Sequence, residues 1–398
     1  MINEMKLHLT QKILPFWEKL TDWDRGGWYG YVDKDLNVHL DAHKGCILNS
    51  RVLWTFATAA RVLGDDKYME YARHALRFME RFEDHDLGGV FWSVTAEGKP
   101  LDKTKHTYCQ AFSIYGLAAY MRAAGRDDRL YSMARERAFR LFRVIEENCS
   151  DEGGYGEAFE PDFRPAGNER LSDNPTLMER GEVAQRTMNT LLHVLEAYAE
   201  FYRAVPDERI RQAGVRCLER FLKVMYNQPE RRLEVFYDKN YRSLLDMQSY
   251  GHDIEASWLL RERAQVLGDP ELLRRTMDTT RRIADASMEG RCADGSMIYE
   301  RHASGRYDND KHWWVQAENV LGQLYQYVFH GRSEFLPMAA QSWDYIRDNI
   351  VDREHGEWLW SRRGADANRS DDKAGFWKCP YHNSRMCLEA SERLEEIL

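Results

Sequence analysis

The chain has 398 residues, 43% hydrophobic and 30% charged, with a formal net charge of −9. That hydrophobic share is enough for a core and excludes a disordered chain. The negative charge argues against a nucleic-acid partner, because phosphate contacts need a basic face, while a neutral small molecule meets no such barrier.

Taken in chain order, apolar periodicity predicts helices near 2–20, 44–62, 66–83, 104–124, 128–148 and 182–204. The second half adds 207–226, 251–268, 270–288, 312–330, 335–350 and 379–397. The opening residues already read as amphipathic helix, so no secretory leader is expected. The segment from Lys44 to Phe56 is apolar on more than one face, as in a helix buried on both sides. The segment 207–226 is one-sided. The polar stretch 160–181 reads as a long inserted loop that could lie over a site.

Between the helices a short phrase recurs. It reads Asp24-Arg25-Gly26-Gly27-Trp28-Tyr29, then Asp86-Leu87-Gly88-Gly89-Val90-Phe91-Trp92, then Asp151-Glu152-Gly153-Gly154-Tyr155-Gly156. Weaker copies run over 232–237, 294–300 and 354–360. A repeat of about 60–80 residues marks a repeated architecture. Glycine permits the tight turn and the aromatics favour a short extended piece. Six helix pairs, each with one buried and one amphipathic member, suggest two concentric rings. The expected fold is therefore all-α, an (α/α)6 barrel with short β-like glycine/aromatic turns gathered at one end. No linker interrupts the pattern, so residues 1–398 are expected to form a single domain.

No apolar run approaches the roughly 18 residues needed to cross a bilayer, so no membrane partner is expected. The seven cysteines are scattered and form no CxxC pair; they read as reduced thiols in a cytoplasmic protein. The 12 Trp and 21 Tyr exceed ordinary usage. Most of these rings serve a large core, but flat rings also stack on the apolar faces of sugars.

Polar residues stand near the starts of the buried helices. They are Arg51, Tyr108, Asn189 with His193 at i,i+4, His252 with Glu255 at i,i+3, Trp314 with Glu318 at i,i+4, and His382 with Arg385 just after Trp377. These spacings put the members of each pair on one helix face. A lone helical histidine is usually structural, and His39, His43, His85 and His330 take that reading. Three histidines and two glutamates spread over four helices of one inner ring point instead to a shared pocket. Three chemistries compete for it. His252-x-x-Glu255 has ligand-like spacing for zinc, without HExxH or a cysteine partner. Glu255 and Glu318 could serve a glycoside hydrolase, which needs two carboxyls across one bond. A non-catalytic sugar-binding protein would use the tryptophans and an arginine. Glutamate beside histidine equally orients an imidazole for acid–base work.

The strings Asn49-Ser50-Arg51-Val52-Leu53-Trp54, Met188-Asn189-Thr190-Leu191-Leu192-His193, Ser249-Tyr250-Gly251-His252-Asp253-Ile254-Glu255-Ala256-Ser257-Trp258, Trp313-Trp314-Val315-Gln316-Ala317-Glu318 and Trp377-Lys378-Cys379-Pro380-Tyr381-His382-Asn383-Ser384-Arg385 resemble the cellobiose 2-epimerases. That family lies within the N-acylglucosamine 2-epimerase superfamily. The likeness runs from about residue 10 to the C-terminus. One departure is Leu191, where the resemblance leads one to expect a second histidine; the polar loop before the sixth helix is also longer. The resemblance implies an (α/α)6 barrel, a small-molecule sugar substrate, and no cofactor or metal; a monomer or weak dimer is expected. It implies that His252 and His382 are the acid–base pair and that His193 assists ring opening or holds the C1 oxygen. By the same resemblance Arg51 stabilises enediolate charge, and Glu255 and Glu318 orient the histidines. Trp314 and Trp377 would stack on sugar rings, while Tyr108, Asn189 and Arg385 would bind the substrate. Mannose, N-acetylglucosamine or an aldose–ketose conversion remain alternatives within the superfamily.

Overall fold

The computed structural model describes residues 1–172, 174–361 and 372–395. The helices are α1 (Ile2–His8), α2 (Leu14–Lys19), α3 (Cys46–Leu63), α4 (Lys67–Met79), α5 (Thr107–Ala124), α6 (Tyr131–Asn148) and α7 (Pro175–Glu179). They continue with α8 (Met188–Ala204), α9 (Glu208–Arg220), α10 (Tyr250–Leu267), α11 (Pro270–Ser287), α12 (Trp313–His330), α13 (Phe335–Asn349) and α14 (Tyr381–Arg393).

An inner ring closes on itself. Helix α3 packs on α5, α5 on α8, α8 on α10, α10 on α12, α12 on α14, and α14 back on α3. Outside it, α4, α6, α9, α11 and α13 each cover the inner helix that precedes them, and α1 covers α14. This is the (α/α)6 barrel expected from the pattern. The two rings differ as their sequences require. Every residue of α3 from Cys46 to Ala60 is buried, and every residue of α5 from Thr107 to Met121. Outer α9 buries only the stripe Ile210, Ala213, Gly214, Cys217 and Leu218, at helical spacing. Inner helices approach closely where a side chain is missing. A Cβ on Gly116 would lie 2.7 Å from the Ser50 carbonyl oxygen. Among the described residues no helix is long and apolar enough to cross a membrane.

The recurring phrase is a β-hairpin that follows each outer helix. Its rungs pair Thr21 with Trp28, Glu83 with Val90, Ser150 with Tyr155, Tyr226 with Leu233, Arg291 with Met297, and Val351 with Trp358. Gly26 and Gly27 hold φ of 89° and 69°, which residues with a Cβ adopt only with strain. In four of the six hairpins a polar side chain in the first turn of the next inner helix clamps the turn. Asn49 accepts from the Trp28 amide at 3.3 Å, Gln110 from Val90 at 2.7 Å, Asp253 from Leu233 at 3.0 Å and Gln316 from Met297 at 2.9 Å. The hairpins therefore gather at the N-terminal ends of the inner helices. The polar residues near those helix starts are drawn to the same end.

Some boundaries differ from the periodicity. The first helix is broken by a π-helical segment, Leu9–Ile13, just before Pro15, which cannot donate to the helical ladder. The sixth begins at Met188 rather than 182, because Arg186–Thr187 is a strand paired with Phe236–Tyr237. Thr187 then caps the helix by accepting from the Thr190 amide. The last helix starts at Tyr381, behind Pro380; residues 396–398 lie outside the described residues. Helix α7 lies within the stretch read as loop.

Candidate active site

At the hairpin end the inner ring opens into a cavity of about 480 Å³. Arg51, Tyr108, Asn189, His193, His252, Glu255, Trp314, Trp377 and His382 all line it. The inserted stretch contributes Arg170, Leu171, Asn174 and Pro175, so it borders the cavity as its polarity suggested. Two predicted residues are not in the lining. Glu318 and Arg385 are buried to 1% and 0% exposure, below the surface that a ligand would touch. Arg385 therefore stands beneath the site rather than in it, which corrects its reading as a substrate-binding residue. One turn along an inner helix is the difference between lining and floor.

Each histidine has its own partner. Nδ1 of His382 is 2.7 Å from Oε1 of Glu318, whose other oxygen accepts from the Trp258 indole at 2.9 Å. A carboxylate only accepts, so Nδ1 of His382 carries the proton and Nε2 keeps its lone pair. Nδ1 of His193 is 2.8 Å from Oε2 of Glu196 in the same way. Nδ1 of His252 instead meets the Ser249 hydroxyl at 2.8 Å, a group that can donate or accept. The Trp314 ring lies against both His252 and His382, with ring centroids 4.8 and 5.5 Å away.

Burial sets the protonation states. It lowers His252 to about 4 and pushes His382 well below the usual histidine range, the latter against the pull of Glu255. It lowers His193 too, although Glu196 opposes. Three imidazoles are thus held as free bases near neutral pH. Burial also raises Glu318, against Arg385. Burial would raise Glu196 as well, but Arg385, His193 and Arg263 outweigh it and hold that carboxyl well below its ordinary value.

Arg51 is a buried cation of the wall with no ion pair among the described residues. Its guanidinium donates to the Tyr108 hydroxyl at 2.9 Å and touches Cys379 Sγ at 3.7 Å. The rings of Phe112 and Tyr381 lie 4.3 and 4.7 Å from its central carbon. Its Nε, like Asn189 Oδ1, is buried with no hydrogen-bond partner among the described residues. A cation surrounded by neutral rings is poised for negative charge that develops on a bound substrate.

Glu255, Glu318 and His382 bring ligand atoms within 4.8 Å of one another, which would suit a metal ion. A cation already serves those carboxylates. Arg385 bonds both Glu255 and Glu318, the latter at 2.6 Å. The donor set is thus that of a guanidinium clamp.

Sequence reasoning missed Glu196, Ser249 and Tyr381. Glu196 was findable, since it stands at i,i+3 from His193 as Glu255 does from His252. Ser249 lies just ahead of its helix, in a two-residue strand, where helical spacing carries no information. Leu191, the departure from the resemblance, is a core residue at 2% exposure.

A family model described as N-acylglucosamine 2-epimerase (GlcNAc 2-epimerase) matches residues 26–384. The cellobiose 2-epimerase of Bacteroides fragilis is 41% identical over 393 residues, covering 97% of each chain. That of Ruminococcus albus is 40% identical over 401 residues and covers both chains fully, 100%. The solved cellobiose 2-epimerase of Bacillus thermoamylovorans superposes with a TM-score of 0.92 at 39% identity, covering 99% of each chain. Matched over almost its whole length in sequence and in fold, the chain belongs to the N-acylglucosamine 2-epimerase family.

Proposed function

We propose that this protein is a cellobiose 2-epimerase, inverting C2 of the reducing-end glucose of β-1,4-linked disaccharides. Cellobiose would become glucosyl-mannose and lactose epilactose. The observation that carries the reading is the pair of buried free-base imidazoles, His252 and His382, on different inner helices and against one tryptophan. Full-length relatives bearing that activity in their names support the substrate class.

In the open aldehyde the C2 proton is acidic because its loss gives an enediolate shared with the C1 oxygen. One imidazole takes that proton and the C2–H electrons enter the enediolate. The other, protonated beforehand from solvent, returns its proton to the opposite face of C2, the aldehyde reforms, and the first histidine releases its proton to solvent. Arg51 stabilises the developing oxyanion. His193 assists ring opening or holds O1. Glu318 and Glu255 tune the histidines, Trp314 and Trp377 stack on the sugar rings, and Tyr108 and Asn189 bond hydroxyls. No step calls on a cofactor or metal. The proposal includes one catalytic domain over 1–398, a monomer or weak dimer, and a cytoplasmic location, which seven unpaired cysteines support.

The test is incubation with cellobiose, lactose, mannose and N-acetylglucosamine, with products read by NMR. C2-inverted disaccharides are expected. Turnover of monosaccharides alone would replace the disaccharide reading. Free glucose would mean hydrolysis, and binding without turnover would mean a sugar-binding protein.

A further inference from the structure

Arg385 is wholly buried beneath the cavity, and each end of its guanidinium serves a different histidine. One terminal nitrogen donates to Glu196 at 2.7 Å, and Glu196 holds Nδ1 of His193. The other donates to Glu318 at 2.6 Å, and Glu318 holds Nδ1 of His382. An unbroken chain of charge-assisted bonds runs His193–Glu196–Arg385–Glu318–His382. We propose that Arg385 is a positioning residue that couples His193 to His382, so that a proton gained at one lowers the basicity of the other.

The physical reason is competition for one cation. Glu196, Glu318 and Glu255 all draw on Arg385. A proton on His193 satisfies Glu196, which then needs Arg385 less. The guanidinium shifts its charge toward Glu318. A better-neutralised Glu318 supports an imidazolium at His382 less well. In the low dielectric of the barrel floor such effects pass along a chain of bonds with little screening.

Other charged and titratable groups face the chain. Among them are Arg263 from α10, which reaches Glu196 at 3.3 Å, Arg51 from α3, Tyr108 and Tyr115 from α5, and Tyr381 from α14, whose hydroxyl donates to Glu196 at 2.6 Å and accepts from Arg385. His252 stands outside the chain on Ser249. Coupling of this kind keeps the two linked histidines from being charged together. That consequence for turnover rests on the epimerase reading; the coupling itself does not.

The experiment is NMR titration of the full chain carrying isotope-labelled histidine, without substrate. Glu196→Gln removes the relay's negative charge beside His193. It should lower the His382 pKa by about one unit, the ordinary reach of a changed neighbouring charge. In an Arg385→Lys background, which keeps the charge and loses the fork, the same substitution should move His382 by less than half as much. An equal shift in both backgrounds would mean a through-space field and overturn the proposal, as would an unmoved His382. Tyr381→Phe keeps the test open if Arg385→Lys does not fold. It changes no charge, yet it deprives Glu196 of one donor, so Glu196 should pull harder on Arg385 and the His382 pKa should rise. No rise would also overturn the proposal. In turnover assays Glu196→Gln should lower kcat and leave KM near its original value. If the protein turns over no sugar, the epimerase reading fails while the titrations still decide the coupling.

Discussion

Nδ1 of His382 lies 2.7 Å from a Glu318 oxygen, whereas Nδ1 of His252 lies 2.8 Å from the Ser249 hydroxyl. The first histidine is locked in one tautomer by an anion. The second has a partner that can follow its proton in either direction. Two bases so differently held are suited to unequal tasks on opposite faces of one carbon.

Replacing either base should therefore stop the reaction. His252→Ala and His382→Ala should each reduce turnover by about 10² to 10⁴-fold, the usual worth of a positioned acid or base. Binding should survive these changes better than it survives loss of Trp314. In D2O the product should carry deuterium at C2. Product without deuterium would require direct hydride or carbon-skeleton transfer in place of two-base exchange. Near-normal turnover in either variant would move the assignment to His193.

A chelator should leave activity untouched. Glu255 and Glu318 are ligand-like, but Arg385 already supplies their positive charge. A metal placed there would compete with a buried guanidinium that already neutralises both carboxylates. Loss of activity in EDTA, restored by zinc, would favour the metal reading of this cluster.

Arg51→Ala should lower kcat more than it raises KM. Its neighbours are neutral rings, a hydroxyl and the Cys379 sulfur, none of them a carboxylate, so its charge meets an opposite charge as the enediolate forms. Steady-state kinetics on cellobiose would separate the two effects. A rise in KM with kcat unchanged would make Arg51 a ground-state binding residue.

The ring architecture was legible because burial leaves its mark on composition. Helices such as α3 are apolar on more than one face, and helices such as α9 carry one stripe. The Gly–aromatic phrases marked the hairpins and so the end of the barrel where the site forms. Depth was not legible. Trp314 and Glu318 share a helix face, yet one lines the cavity and the other lies below it. The same limit made Arg385 look like a sugar ligand. Helical spacing reports direction around an axis, while position along the axis depends on where the helix starts. Thr187 moved one such start, from 182 to 188, by taking an extended conformation and capping Met188–Ala204.

Stability against pH should reveal the buried groups one at a time. Burial holds His252 at about 4 in the folded protein, whereas the unfolded chain has the ordinary value of about 6.5. Above about 6.5 both states are neutral and the full stability is present. As pH falls from about 6.5 toward about 4, the unfolded state gains a proton that the folded state refuses. Stability is then lost at no more than about 1.4 kcal/mol per pH unit for this group. Asp253 works in the opposite sense. Burial raises it to about 7, against its bonds from the Leu233 amide and Gln248. Its contribution is present below the unfolded carboxyl value of about 4 and is lost as pH rises through about 7. The two terms offset each other in the native chain, so single variants separate them. Urea unfolding of His252→Asn across this range should show a smaller loss on acidification than the parent. Asp253→Asn should show a smaller loss as pH rises. Curves that run parallel to the parent for both variants would mean that neither group is held away from its ordinary value.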